Sequence, residues 1–557
     1  METGQEQNPV RVIPLGGLGE IGLNMTVFEC GDTMIVVDAG LMFPEDYMLG
    51  VDIVIPDYEY VRENRAKLAA IVLTHSHEDH IGALPFLLRE IQAPVYGTPF
   101  TLGLVRGKLE ERDLLARADL RPMTPRQKVV IGPFEVEPIR VCHSVVDGVG
   151  LAIRTPAGLL VHTGDFKISH EANAFGATDL SRFAQLGEEG VLALFSDSTN
   201  AEKEGYTLSE KAIGESLEEI ILESPGRVIV AVFASNIPRI AQIVDVARKK
   251  GAKLVVSGRS IEMSVKLATE LGHLSLPSGM VIDVEHVSEF PDEKIIILTT
   301  GTQGEPMSAL ARVASGTHKH LRVKKNDTFI LSSKFIPGNE KAITGIINRL
   351  YRMGAEVIYE KISAIHVSGH AFREELKLMI SLCRPRYFVP VHGEYRHLIH
   401  HGRLARSMGL ARENVLIAEN GDAICFSESG ARIDTPVDTG RTLVDGKGVG
   451  DVGRSVLKER RVLSEEGVVV VTMVLDQETG VVIHGPEIAS KGFVFETEKG
   501  HLLDDAVCVI LEIVEDADMK KPDRIAYIKS EVQRSLRQYF NYVIQRRPII
   551  IPVILEV

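Results

Sequence analysis

The stretch His75-Ser76-His77-Glu78-Asp79-His80 constrains this chain more than any other. An apolar, strand-like run at 71–74 precedes it, and leucines spaced as in a helix follow at 84–91. The pattern predicts a short loop that carries four potential metal ligands from a strand into a helix. Imidazole and carboxylate ligands together suit a borderline or hard divalent cation, and four of them could serve two neighbouring ions that activate water. The alternative is a surface turn that is rich in histidine by chance. Three of the 18 histidines in 557 residues fall within these six positions, which argues against that alternative.

Length and composition indicate a large globular chain of three or four domains, with 45% apolar and 25% charged residues. The net charge of −14 argues against general affinity for polyanions, so a nucleic acid would need a local basic patch or bound cations. Five scattered cysteines without a C-x-x-C pair predict reduced thiols and a cytoplasmic location. We see no secretion signal, and no apolar run approaches the roughly 18 residues of a membrane span.

A glycine motif near the N-terminus invites a different interpretation. Gly17, Gly19 and Gly22 satisfy G-x-G-x-x-G, the pattern of dinucleotide-binding loops. That fingerprint requires a helix directly after the glycines, whereas strand-like runs at 25–31 and 34–38 follow here. The sequence therefore predicts a hairpin and a tight glycine loop beside an active site.

Ligand-type residues follow several later strand-like runs, at His143, Asp165, Asp197 and His392. Each alone is commonplace, because an Asp after a strand is usually a turn or capping residue. Together they predict one shared rim at the strand ends of a sheet, where α/β proteins place their sites.

Strands and helices alternate between residues 209 and 360, which predicts a largely parallel sheet inserted into the first domain. This stretch has 19 Lys and Arg against 18 Asp and Glu, so it is the more basic part of an acidic chain. We expect a first domain at 1–208, closing at 361–446, an insert at 209–360, a glycine-rich linker at 447–465 and a C-terminal domain at 466–557. For that last domain we predict strands 467–475 and 492–495 and helices 502–515 and 522–545.

These motifs resemble a known superfamily. HSHEDH at 75–80 with His143, Asp165 and His392 is similar to the metallo-β-lactamase fold in its two-metal hydrolase form. The insert, SDSTNA around Asp197, HVSGH at 366–370 and VHGE at 391–394 resemble the β-CASP nucleases. GGLGEIGLNM at 16–25 and the C-terminal unit extend the resemblance to ribonuclease J over essentially the whole chain. One departure is HSVVDG at 143–148, where that family more often has proline in the fourth position.

The resemblance implies an α/β fold: a metallo-β-lactamase αββα sandwich, an inserted α/β β-CASP domain and a small C-terminal α/β domain. It implies two metal ions per subunit, Zn²⁺ or Mn²⁺. The first would be held by His75, His77 and His143, the second by Asp79, His80 and His392, with Asp165 bridging. His370 would be the general acid oriented by Asp197, and Asp79 would accept a proton. A 5′-monophosphate pocket would comprise Ser235, Asn236, Ser368, Gly369 and His370, and His366 would be structural.

The implied activity is a ribonuclease on single-stranded RNA, a 5′-monophosphate-dependent 5′→3′ exonuclease and an endonuclease, in RNA decay and maturation. The implied assembly is a homodimer or tetramer without a membrane partner. Three alternatives stay open. A β-CASP nuclease could act on DNA, a small-molecule metallohydrolase shares the metal ligands but would not need the insert, and a non-catalytic subunit would be expected to lose ligands.

Overall fold

The computed structural model describes residues 9–169, 176–303, 305, 307–335, 339–363, 365, 367–427, 430–494, 501–518, 521 and 523–557. The chain divides into two compact units. The first comprises Met1–Phe43 and Ile53–Thr442, and the second comprises Pro44–Asp52 and Leu443–Val557. No helix among the described residues is long and apolar enough to cross a membrane.

An eight-stranded sheet begins the first unit. Its strands, in spatial order, are Gly430–Asp434, Ala423–Ser427, Val10–Gly16, Met25–Cys30, Thr33–Val37, Leu68–Val72, Pro94–Gly97 and Asp119–Pro122. The hairpin predicted around residue 31 is confirmed, with Thr26 opposite Val37 in an antiparallel pair. The strand after the glycine motif replaces the helix that a dinucleotide site would need.

A six-stranded sheet packs against the first. Its order is Tyr387–Val391, Val191–Asp197, Gly158–His162, Val149–Thr155, Phe134–Arg140 and Val129–Ile131. Buried side chains from both sheets, among them Phe28 and Phe195, form one apolar core. The helices Leu180–Glu189, Arg373–Cys383 and Tyr395–Ser407 cover the outer face of the second sheet, and Pro99–Glu110 contacts the first. The expected αββα sandwich is therefore confirmed.

The segment between residues 209 and 360 forms a separate parallel sheet. Its strands run in the order Lys253–Ser257, Ile295–Thr299, Val228–Ala231, Thr328–Leu331 and Glu356–Ile358. Its helices are Glu210–Glu223, Ile237–Lys250, Arg259–Glu270, Ala309–Ala314 and Glu340–Arg352. Because strands and helices alternate along the chain, all four strand pairings are parallel, as the sequence predicted.

The second unit has a three-stranded sheet ordered Val482–Lys491, Val468–Leu475 and Ile549–Glu556, with helices Leu502–Glu515 and Arg524–Ile544. The strand predicted at 492–495 is wrong, because the strand ends at Lys491 and residue 495 lies outside the described part of the chain. The terminal strand was not predicted from the sequence, because Pro552 breaks its strand-like pattern. The proline is tolerated there because an edge strand uses only one side of its backbone for pairing.

The described residues contain further strands and α-helices. The strands are Leu18–Gly19, Ile53–Pro56, Gly393–Glu394, Arg441–Asp445 and Gly448–Val449. The helices are Glu59–Glu63, Glu78–Ile81, Leu84–Glu90 and Arg454–Glu466. Most of the stretch expected as a linker at 447–465 is thus helical.

Glu375 is fully buried and joins three segments of the first unit that are distant in sequence. Its carboxylate accepts hydrogen bonds from the backbone N–H groups of Ile168, Thr207 and Phe372, at 2.8–2.9 Å, and from the Thr207 hydroxyl at 3.0 Å. We expect Glu375→Ala to lower the free energy of unfolding by about 3 kcal/mol, because it leaves several buried donors unsatisfied. Denaturant unfolding measures this loss. Glu374→Ala, which removes a half-exposed ion pair with Lys377, is the control and should change stability by less than about 1 kcal/mol. Equal losses for the two variants would contradict this role of Glu375.

Candidate metal centre and active site

All seven predicted metal-ligand residues meet at one rim of the sandwich. The 75–80 loop follows the strand Leu68–Val72, and the other ligands follow strands of the second sheet or its flanking loops. These seven residues form two of the three groups whose ligand atoms lie within 4.8 Å of one another, and the third group joins Asp165 to Asp197 and His370. The first contains His75, His77, His143 and Asp165; the second contains Asp79, His80, Asp165 and His392.

In the first group, three imidazole nitrogens converge. His77 Nδ1 lies 3.1 Å from both His75 Nε2 and His143 Nε2. Asp165 Oδ2 lies 3.6 Å from His75 Nε2 and 3.8 Å from His143 Nε2. Three nitrogens and one carboxylate oxygen thus surround a common point.

In the second group, the same carboxylate oxygen, Asp165 Oδ2, lies 3.3 Å from both His80 Nε2 and His392 Nε2. Asp79 Oδ2 lies 3.4 Å from His392 Nε2 and 3.7 Å from His80 Nε2. His392 Nε2 is buried and forms no hydrogen bond within the described residues. A buried polar atom without a partner is costly, and a bound cation would satisfy it.

Hydrogen bonds on the far side of the rings fix which nitrogens face the centre. His80 Nδ1 lies 2.8 Å from Asp38 Oδ2, a carboxylate that can only accept, so His80 donates through Nδ1. His143 Nδ1 likewise donates to the carbonyl oxygen of Gly369 at 2.8 Å. The Nε2 atoms of both rings are therefore the ones that face Asp165 and the centre. In a neutral ring protonated at Nδ1, Nε2 offers a lone pair to a cation, so the residues fit a metal centre.

Asp38 and Thr74 complete this arrangement, and neither role was predicted from the sequence. Thr74 Oγ1 donates to Asp38 Oδ2 at 2.8 Å and lies 3.1 Å from His75 Nδ1, so it accepts a hydrogen bond from the His75 Nδ1–H group. Asp38 has a left-handed backbone with φ of 62°, rare for a residue with a side chain. The available signal was an Asp directly after a strand, which is equally typical of a turn.

The two groups differ in electrostatics. Burial lowers the pKa of His75 and His143 well below the ordinary value and that of His77 to about 4. The neutral form of each ring is therefore favoured, and a neutral ring offers a nitrogen lone pair to a metal ion. Burial also acts on His80, but the carboxylates of Asp165, Asp79 and Asp38 outweigh it and raise its pKa to about 10. The pKa of His392 is raised well above its usual value in the same way. The carboxylate-rich group thus attracts positive charge, which protons or a metal ion can supply.

His370 and Asp197 form a dyad beside the metal-ligand groups. His370 Nδ1 lies 2.8 Å from Asp197 Oδ2, and its side chain is 21% exposed. Burial opposes protonation of His370, but Asp197 and Asp165 raise its pKa above the ordinary value. Burial raises and the His370 charge lowers the pKa of Asp197, with a net decrease. A partly exposed imidazole whose protonated form is favoured by a neighbouring carboxylate is suited to donate a proton to a reacting group.

The residues predicted to bind phosphate lie on two loops. Ser368 Oγ accepts from Asn200 Nδ2 at 2.7 Å, and a Cβ added to Gly369 would lie 2.5 Å from the His143 ring, so only glycine fits there. Ser235 and Asn236 lie before the helix Ile237–Lys250, where Asn236 caps the helix through the backbone N–H of residue 239.

The buried Arg239 side chain connects these two loops. It donates from Nη1 to the carbonyl oxygen of Ile365 at 2.9 Å, which joins the loop of Ser235 and Asn236 to the segment that carries Ser368. The contacts of the described residues do not place Ser235 or Asn236 against the metal-ligand groups. His366 lies outside the described residues.

Comparison with known proteins agrees with this architecture. Four family descriptions match successive parts of the chain: "Metallo-beta-lactamase superfamily" at 18–172, "Ribonuclease J, beta-CASP domain" at 225–350, "Zn-dependent metallo-hydrolase RNA specificity domain" at 354–418 and "Ribonuclease J C-terminal domain" at 455–557. The chain is 42% identical to Ribonuclease J 1 of Streptococcus pyogenes over 548 residues, 98% of each chain. The chain belongs to the ribonuclease J family. It is also 42% identical to Ribonuclease J of Thermus thermophilus, over 99% of this chain and 96% of that protein.

Membership in the ribonuclease J family makes the protein a metal-dependent ribonuclease, and the match extends through the insert and the C-terminal unit. A solved structure of a protein of unknown function from Enterococcus faecalis shares the fold, with a TM-score of 0.53 and 16% identity, and covers 75% of this chain and 100% of its own.

Proposed function

We propose that this ribonuclease J family member is a two-metal phosphodiesterase that degrades single-stranded RNA from a 5′-monophosphorylated end in the 5′→3′ direction and also cuts internally. One observation carries the proposal: a single oxygen, Asp165 Oδ2, lies 3.3–3.8 Å from the Nε2 atoms of four histidines in two groups. One carboxylate shared by two ligand groups is the arrangement expected for a pair of metal ions.

One ion would be held by His75, His77 and His143, and the other by Asp79, His80 and His392. Asp165 would belong to both ligand sets. Mixed nitrogen and oxygen ligands accept Zn²⁺ or Mn²⁺. When bound, such a pair lowers the pKa of water and offsets the charge that develops on the phosphoryl oxygens. Asp79, whose side chain is 29% exposed, would take up a proton from the attacking water.

His370 would protonate the departing ribose 3′-oxygen. Its Nδ1–H is directed at Asp197, so the other ring nitrogen, Nε2, is left to donate toward the substrate. The raised pKa favours the protonated form of His370, which a general acid requires at the start of the reaction. Asp197 would hold the ring and stabilise its charge.

The 5′-monophosphate would be recognised by the hydroxyls and amides of Ser235, Asn236 and Ser368, with Gly369 and His370 beside them. A small pocket with directional donors selects a monophosphate over a triphosphate, which carries more charge and volume. Arg239 supports this assignment, because it joins the two loops that carry these residues.

The remaining proposals concern organisation. We assign 1–208 and 361–446 to the metal-bearing domain, 209–360 to the β-CASP insert, 447–465 to a partly helical linker and 466–557 to the C-terminal domain. The insert's own buried core supports its treatment as a domain. We further propose a homodimer or tetramer in the cytoplasm.

Matched single-stranded oligomers test the substrate and the polarity. Three carry one sequence as 5′-monophosphate RNA, 5′-triphosphate RNA and 5′-monophosphate DNA, each with a 3′ fluorophore, and are incubated with Mn²⁺ or Zn²⁺. We expect mononucleotides chiefly from the monophosphorylated RNA. Equal degradation of DNA would contradict the RNA preference, equal degradation of triphosphate RNA would contradict the pocket, and no cleavage by the metal-loaded protein would overturn the proposed function.

A further inference from the structure

We propose that Thr199 is a positioning residue of the metal centre, which fixes the His392 ring so that Nε2 is free for a cation and also holds Asp197 for His370. This inference rests on the proposed two-metal function. Thr199 belongs to the SDSTNA motif and has no part in the mechanism proposed above.

The first role of Thr199, which is to fix the His392 ring, follows from the hydrogen bonds that its hydroxyl can form. Thr199 Oγ1 lies 2.8 Å from Asp197 Oδ1, 3.1 Å from His392 Nδ1 and 3.3 Å from the His392 carbonyl oxygen. The hydroxyl has a single proton, and the ionised carboxylate is both the nearest and the strongest acceptor. The Thr199 oxygen must then accept a hydrogen bond from His392 Nδ1–H.

The consequence falls on the other nitrogen of the same ring. A neutral imidazole protonated at Nδ1 carries a lone pair at Nε2. His392 Nε2 is the buried atom without a hydrogen bond that lies 3.3 Å from Asp165 Oδ2 and 3.4 Å from Asp79 Oδ2. Thr199 thus fixes the tautomer that a metal ion requires at this position.

The backbone conformation of His392 makes a side-chain contact that holds its ring more important. His392 has a left-handed conformation with φ of 52°, which disfavours residues with a side chain. Ser198 N–H donates to its carbonyl oxygen at 3.3 Å, and Thr199 supplies the side-chain contact described above. The 198–199 segment therefore determines where this ring lies.

The same arrangement occurs at the other end of the centre. Thr74 donates to Asp38 and accepts from His75, as Thr199 donates to Asp197 and accepts from His392. The two sites differ in the second partner of the carboxylate, because Asp38 binds the ligand His80 whereas Asp197 binds His370. Thr199 is thus the hydroxyl that connects a ligand of the second ion to the proton donor.

Metal binding by three forms of the full-length protein tests the first role. Thr199→Val has nearly the same shape but no hydroxyl, and Thr199→Ser retains the hydroxyl. At buffered free Zn²⁺ or Mn²⁺ we expect the wild type and Thr199→Ser to bind two ions with similar affinity. Thr199→Val should bind the first ion normally and the second about 10–100-fold more weakly. Equal unfolding temperatures in chelator would show that the metal-free fold is intact.

A kinetic measurement tests the second role. At metal concentrations that restore full occupancy, we expect Thr199→Val to retain a lowered kcat on RNA, with KM little changed, because Asp197 has lost a hydrogen bond. That deficit should disappear on an RNA whose scissile linkage has sulfur in place of the 3′-oxygen, since a thiolate leaves without a proton.

The outcomes separate the inference from the function on which it depends. Wild-type affinity of Thr199→Val for both ions, or an equal loss in Thr199→Ser, would overturn the role of the hydroxyl. Fewer than two ions on the wild type would instead contradict the proposed function. Nitrogen NMR of His392 in the zinc-loaded wild type provides a check without any variant: a proton on Nδ1 is expected, and an unprotonated Nδ1 would overturn the inference.

Discussion

Replacing Asp165 with asparagine is expected to lower kcat/KM on RNA by about 10³-fold or more and to reduce the bound metal below two ions per chain. The side chain is buried, and its Oδ2 atom lies 3.3–3.8 Å from four histidine nitrogens. Asparagine has the same shape, but its neutral amide cannot offset the charge of two cations. Metal analysis and RNA cleavage measure the two effects.

The matched control is Asp119→Asn, which removes an exposed carboxylate that contacts Arg121 at the edge of the first sheet. It should leave metal content and activity within about twofold of the wild type. Full activity of Asp165→Asn with two bound ions would contradict the shared-carboxylate arrangement.

Replacing His370 with alanine is expected to lower kcat on RNA by about 10²–10⁴-fold while both ions remain bound, because His370 lies outside the two proposed ligand sets. The loss should shrink to within about tenfold on the 3′-thio linkage, because a thiol such as that of cysteine has a pKa of about 8.5 and its thiolate can leave without a proton. Asp197→Asn should show the same dependence on the leaving group, because Asp197 holds His370 through a 2.8 Å contact.

The control for this prediction is His286→Ala, an exposed histidine in the insert that is paired with Glu289. It should change neither metal binding nor cleavage. If His370→Ala lowers kcat equally on the oxygen and sulfur linkages, His370 does not act as the proton donor.

The residues alone predicted the parallel insert, from its alternating strands and helices, and a shared rim, because the 75–80 loop and His143, Asp165 and His392 follow strand-like runs. The sandwich and the complete set of seven ligands were expected from the resemblance to the metallo-β-lactamase and β-CASP families. The sequence could not predict the sheet order. The strand Val10–Gly16 pairs with Ala423–Ser427, more than 400 residues away, and nothing local in either strand specifies the other.

The supporting residues were missed for a related reason. Asp38, Thr74 and Thr199 are small polar residues close to strand ends, and such residues usually serve turns and caps. Their roles depend on partners distant in sequence, such as Asp38 with His80 and Thr199 with His392. Only the fold brings these pairs together.

The most direct measurement is a crystal structure of the Mn²⁺-loaded protein with anomalous scattering recorded for manganese. We expect two peaks, one among the nitrogens of His75, His77 and His143 and one beside Asp79, His80 and His392, with the Asp165 carboxylate in contact with both. A single peak, or a second peak away from His392 and Asp165, would contradict the two-metal centre on which the proposed function depends.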